Sequence, residues 1–69
     1  MARYYVNRTA QRHTGDHEVH VETCPWMPDA EDRSYLGDFE TCRRAVQEAR
    51  KHFADANGCY YCSSRCHSV

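Results

Sequence analysis

A chain of 69 residues, with nine basic and ten acidic side chains and a formal net charge of −1, has room for one domain spanning residues 1–69. That charge argues against the broad basic surface that non-specific nucleic-acid binding requires, although charge can still be local. Leucine occurs once, at Leu36, isoleucine is absent, and the valines are Val6, Val19, Val21, Val46 and Val69, so the apolar core must be thin and a staple is expected among the five cysteines and five histidines.

The first stretch, "MARYYVNRTAQ", carries charged and polar residues throughout and has no apolar core of the kind a secretory signal needs. No run approaches the length of a membrane span. The expectation is a cytoplasmic protein, in a compartment where ordinary thiols stay reduced and clustered cysteines point to metal or redox chemistry. Arg3 to Val6 are rich in strand formers, and after the turn signal Thr14-Gly15-Asp16 the segment "HEVHVETC" alternates, with Val19 and Val21 on one side and Glu18, His20 and Glu22 on the other. These two stretches are expected to pair as antiparallel strands. "CPWMPDAEDR" holds both prolines and reads as an irregular connection, with Trp26 or Met27 folding back on the core, and "SYLG" reads as a third short strand.

The periodic positions Phe39, Cys42, Ala45, Val46, Ala49 and Phe53 form one apolar stripe and predict a helix over about 41–54, capped by Thr41. Asp38 and Glu40 lie near its positive end, and Lys51 and His52 near its negative end. Glu40 and Glu48, interleaved with Arg43, Arg44, Arg50 and Lys51, make a solvated and mutually paired face. Asn57-Gly58 then supplies residues that tolerate the left-handed conformation of a chain reversal. The predicted fold is a small α+β domain with two or three short antiparallel strands, one helix and a C-terminal cysteine knuckle.

Two thiols at Cys59-x-x-Cys62 can chelate one ion from a tight turn, because N–H groups of the turn point at the sulfurs and offset their charge. A tetrahedral site needs two more donors, and His20-x-x-x-Cys24 offers them at a strand end. The expected metal ligands are therefore His20, Cys24, Cys59 and Cys62 around zinc, with Cys66 and His67 as alternates. Cys66, four residues after Cys62, could share its face across one helical turn and replace His20. Cys42 sits on the apolar stripe, where free cysteine behaves as a small buried hydrophobe. His13, His17 and His52 lack a partner at ligand spacing and read as exposed bystanders. "HEVH" at His17–His20 is one residue short of the zincin motif and lies in a strand pattern, which sends its two histidines to opposite faces. A thioredoxin-like role for Cys59 and Cys62 would require the pair at a helix N-terminus after a strand, whereas here the long helix comes first.

Laid out in order, "VHVETC", "EDRSYLGDFETC", "RRAVQEA" and "NGCYYC" resemble the small metal-binding domain of the Ada DNA-repair methylphosphotriester family, over about residues 18–62. The chain is also similar to short bacterial Cys/His-rich proteins to which no activity attaches. The Ada resemblance implies zinc held through Cys24, Cys59 and Cys62. Where that family places its methyl-accepting cysteine in the first pair, this chain has His20 or Cys24, and the basic DNA-binding surface is missing, so methyl transfer is not carried over. The expectation is a bacterial, non-enzymatic, monomeric zinc module whose partner is another protein. The competing readings are a metal-free domain held by packing or disulfides, and a thiol redox or metal-transfer protein using Cys59, Cys62 and Cys66.

Overall fold

Aromatic and β-branched side chains concentrate at the start of the chain. In the computed structural model, which describes residues 1–68, they form the inner strand β1, Ala2–Asn7. β2, His17–Val21, lies antiparallel to it in the register Tyr4↔Val21, Tyr5↔His20 and Val6↔Val19. On the other side β3, Arg33–Phe39, is also antiparallel, and its register shifts between Tyr4 and Tyr5. Gly37, opposite Tyr4, takes φ of 133° at that irregularity, a conformation that L side chains rarely adopt.

The three antiparallel strands match the α+β expectation, and a fourth joins them. β4, Ala56–Gly58, pairs in parallel with β2 and completes a mixed sheet of order β3-β1-β2-β4. Asn57 and Gly58 are therefore strand residues, not the left-handed reversal expected of them, and Gly58 has no positive φ. Glycine is required at 58 for a different reason: a Cβ there would meet the Ser63 carbonyl oxygen at 2.7 Å and Cys66 at 2.8 Å.

α1 spans Cys42–Ala49, with the Thr41 hydroxyl accepting the Arg44 N–H as its N-cap. It is shorter than the expected 41–54. Beyond Ala49 the bonding tightens, as Lys51 N–H donates to the Glu48 carbonyl and His52 N–H to that of Ala49. Phe53 N–H also donates to the Ala49 carbonyl, at 2.8 Å, and its ring stacks on His17 with centroids 4.2 Å apart; the chain reverses where Ala56 N–H donates to the Phe53 carbonyl. The charged face is paired in part, through Lys51 and His52 with Glu48.

Alternation in the strands sorts the two sheet faces. Tyr4, Val6 and Val19 meet Ala45, Val46 and Ala49 of α1 and Ala56 of β4 in the apolar core. The opposite face carries Tyr5, Asn7, Glu18 and His20. His20 is nevertheless fully buried, so something other than the helix covers it. Trp26 does not fold back on the core, being 66% exposed.

One covalent staple lies on the helix side. Cys42, at the first turn of α1, forms a disulfide with Cys66, 24 residues away. Cys42 is thus neither free nor merely a buried hydrophobe, and Cys66 is not a spare thiol. The chain-entropy relation for a loop of this length gives about 3.5 kcal/mol of stabilisation.

Candidate metal centre

The cover over His20 is built from two tight turns. The first follows β2, where Cys24 N–H donates to the Val21 carbonyl at 2.9 Å and Met27 N–H to the Cys24 carbonyl at 3.1 Å. Pro25, with no N–H to donate, suits this departure from the strand. The second turn follows β4. Cys59 N–H extends the parallel pairing to the Val19 carbonyl at 2.9 Å, which seats the second turn beside β2, and Ser63 N–H closes on the Cys59 carbonyl at 2.9 Å.

These turns bring His20, Cys24, Cys59 and Cys62 together, with their four potential ligand atoms all within 4.8 Å of one another. His20, Cys24 and Cys59 are buried and Cys62 is half-buried. The Cys24 and Cys59 sulfurs are 4.0 Å apart, and Cys62 Sγ lies 3.9 Å from His20 Nδ1. A regular tetrahedron with zinc–sulfur and zinc–nitrogen bonds of about 2.3 and 2.0 Å has edges of about 3.8 Å between sulfurs and about 3.5 Å between sulfur and nitrogen. The Cys24–Cys59 and Cys62–His20 separations exceed these edges by a few tenths of an ångström, and the 4.8 Å span of the whole cluster exceeds them by about one, so the four donors need to draw together modestly to close a metal polyhedron.

Surrounding groups orient the donors. His20 Nε2 lies 3.0 Å from Asn7 Oδ1, and a proton on Nε2 serving that bond leaves the Nδ1 lone pair facing the sulfurs. Tyr61 N–H points at Cys59 Sγ at 3.4 Å. Backbone N–H groups of Trp26 and Cys62 likewise reach the sulfurs of Cys24 and Cys59.

The same cover disfavours charge. Burial, reinforced by the neighbouring thiols, pushes the Cys24 thiol up to about 12, and burial raises Cys59 as well. Burial lowers His20, keeping its ring neutral. Burial also raises the carboxyl of Glu18, whose Oε1 is 3.7 Å from His20 Nε2. Such a site receives a cation together with the loss of thiol protons.

The alternates lie elsewhere. Cys66 is turned to the helix side by its disulfide. Ser64–Cys66 form a single 3-10 turn that does not include Cys62, so the helical turn that would align Cys62 with Cys66 is not formed. His67 directs Nδ1 to the Gly58 carbonyl at 3.0 Å. His17 is half-buried against Phe53, not exposed as expected, and its Nδ1 is 2.9 Å from the Asn7 carbonyl, while His13 and His52 are exposed. His17 and His20 do fall on opposite faces. Asn7 was not expected at the site. It stands diagonally across the β1–β2 ladder from His20, a relation that only the strand register reveals.

Comparisons of the chain with protein-family models, with curated proteins and with solved structures found no match. Among the described residues no helix is long and apolar enough to cross a membrane.

Proposed function

We propose that this chain is a non-catalytic zinc-stabilised module that presents a surface to another protein, with His20, Cys24, Cys59 and Cys62 as the four ligands. The observation that carries the reading is the His20 ring, fully buried with Nδ1 turned to three thiols and Nε2 bonded to Asn7. One imidazole and three thiolates form a soft tetrahedral donor set that suits zinc, and four protein ligands leave no open position for substrate or activated water. The resemblance to Ada-type domains points to the same metal without methyl transfer.

A thiol redox role fits less well, since reactive cysteines need a lowered pKa and partial exposure, whereas Cys24 and Cys59 are buried with raised values. The Cys42–Cys66 bridge favours a second reading, in which the disulfide alone holds a metal-free domain. That bridge also runs against the cytoplasmic setting that thiols reserved for metal favour.

Elemental analysis of protein purified without chelator separates the readings, with about one zinc per chain expected. In cadmium-substituted protein, couplings should connect the metal to the His20 ring and to the methylenes of Cys24, Cys59 and Cys62. A folded, metal-free preparation whose circular dichroism ignores chelator would overturn the proposal, as would cadmium couplings that omit His20.

A further inference from the structure

The arginines on one flank of α1 are not neutralised by its glutamate. Glu48 directs one carboxylate oxygen to Lys51 at 3.1 Å and the other to His52 at 3.8 Å. Among the described residues no carboxylate pairs with Arg43, Arg50 or Arg65. These three line one cleft of about 460 Å³ together with Val46, Gln47 and Cys66. A chain of net charge −1 thus gathers three charges that never titrate in one cleft, where they repel one another until an anion joins them.

Two elements build the cleft, and the disulfide joins them. Arg43, Gln47 and Arg50, at spacings of four and three, fall on one flank of the helical segment. Arg65 comes from the 3-10 turn of the tail. Arg43 and Arg65 each stand one peptide step, about 3.8 Å, from a cysteine of the Cys42–Cys66 bridge, whose Cα atoms are 6.2 Å apart. The bridge therefore holds Arg65 across from the helix flank. Arg50 is fixed from the side of β4, since its Nε donates to the Ala56 carbonyl at 3.1 Å and leaves the two terminal amino groups for another acceptor. The negative end of the helix dipole, about half an elementary charge, is outweighed by three guanidiniums.

Guanidinium forks match phosphate oxygens, and arginine clusters are a recurring means of holding phosphorylated side chains. A carboxylate, with one charge and two oxygens, is satisfied by a single arginine. A phosphate monoester carries about 1.5–2 negative charges and three strong acceptor oxygens, enough to engage several. The cleft volume falls within the ~300–1,000 Å³ of sites that take organic ligands, which leaves room for the side chain that bears the phosphate. Val46 and Cys66 offer that side chain an apolar wall, and the Gln47 amide can hydrogen-bond the adjoining backbone. A nucleic-acid strand would need a basic stripe continuing past the cleft. Arg44 instead lines a separate cleft with Asp38 and Glu40.

We propose that the cleft between α1 and the tail, lined by Arg43, Arg50 and Arg65, binds the phosphate monoester of a phosphorylated side chain on a partner polypeptide. This inference rests on the protein-binding part of the reading above and is independent of which metal fills the centre.

The intact, isotope-labelled protein, with zinc content measured on the same sample, is titrated at fixed ionic strength and followed by nuclear magnetic resonance. The probes are Nα-acetyl-phosphoserine methylamide, its glutamate analogue, inorganic phosphate and a short single-stranded RNA. Saturable shifts of the Arg43 and Arg65 Nε–H resonances are expected. The phosphoserine probe should bind about tenfold tighter than the glutamate analogue and about threefold tighter than inorganic phosphate. Arg43 and Arg65 are exposed, so Arg43→Gln and Arg65→Gln should fold, as circular dichroism will check, and each should weaken binding about tenfold. Arg65→Lys, which keeps the charge but not the fork, should weaken it about threefold. Arg44→Gln removes the same charge outside the cleft and should leave the affinity unchanged. The absence of saturation, equal affinity for the glutamate analogue, shifts that bypass Arg43 and Arg65, or a loss in Arg44→Gln as large as in Arg65→Gln overturns the proposal. Inorganic phosphate or RNA binding as tightly as the phosphoserine probe overturns the polypeptide occupant. Zinc-loaded protein that ignores the probe refutes the cleft alone, whereas metal-free folded protein that binds it refutes the metal alone.

Discussion

An alanine at position 58 would place its Cβ 2.7 Å from the Ser63 carbonyl oxygen and 2.8 Å from both the carbonyl carbon and the Cβ of Cys66. Contacts between such atoms normally settle at about 3.5–4.0 Å, so the tail would have to retreat by most of an ångström. No flexible side-chain tip is available to absorb the shift. The tail is also held at both ends of the clash, by Cys62 in the donor cluster and by the Cys42–Cys66 disulfide. Overpacking of this kind costs about 1–3 kcal/mol, and at ~4–8 °C per kcal/mol for a domain of this size the melting temperature should fall by roughly 5–20 °C. Thermal circular dichroism on the zinc-loaded variant measures the loss, and chelator competition measures the accompanying drop in zinc affinity. Gly15→Ala is the control. Gly15 has φ of 75° with nothing within 4 Å of an added Cβ, so only left-handed strain of about 1–2 kcal/mol applies there and zinc affinity should be untouched. Unchanged melting and zinc affinity in Gly58→Ala would show that the close approach of the tail is not what position 58 requires.

Cys66→Ser should keep its zinc while losing about 3.5 kcal/mol of stability relative to the oxidised protein, and Cys42→Ser should match it; loss of metal in either would return Cys66 to the ligand set. Zinc added to metal-free protein at pH 7 should release protons, because burial keeps the Cys24 and Cys59 thiols protonated while His20 is already neutral; an indicator dye that records no acidification would refute the thiol ligands. The same shifts set the sign of the metal-free protein's pH dependence. The unfolded thiols ionise near 9.0 and the folded Cys24 near 12, so this contribution to stability is complete below about 9 and is lost as pH climbs toward 12, which denaturant titration across that range will read. Phe53→Ala should cost about 2 kcal/mol, less than the ~3–5 kcal/mol of a fully buried ring, because Phe53 is half-buried against His17; a larger loss in thermal melts would place the ring deeper than it lies here.

The elements whose side chains repeat were legible before folding was considered. Val19 and Val21 announce β2 by alternation, and Cys42, Ala45, Val46 and Ala49 announce the buried side of α1. The four clustered donors were legible for a similar reason, since both half-sites are local turns. What escaped depends on partners distant in the chain. β4 has three residues, too few to show a period, and exists because β2 offers it an edge. Cys42 and Cys66 carry no spacing signature across 24 residues. The apolar stripe runs on to Phe53, which still packs against the core, while the regular helix ends at Ala49 in a turn of shorter-range bonds that the stripe does not announce. Of Trp26 and Met27, the two residues expected to offer a side chain to the core, Trp26 is displayed at the surface and Met27 is half-buried.

The position of β4 has a consequence for solution behaviour. With the order β3-β1-β2-β4, its outer backbone would be an open template for another strand, yet the tail crosses it. The Asn57 side chain accepts the Ser68 N–H at 3.0 Å and donates to the Ser68 carbonyl at 2.7 Å. Cys62 joins the donor cluster on one face of the sheet, and Cys66 packs against the core on the other. The tail is therefore a clasp folded over the rim of the sheet, fastened once on each side. Opening one fastener leaves the other to hold the rim shut. Removing metal and reducing the disulfide together would bare the rim, and the unclasped chains would then assemble edge to edge in proportion to their concentration.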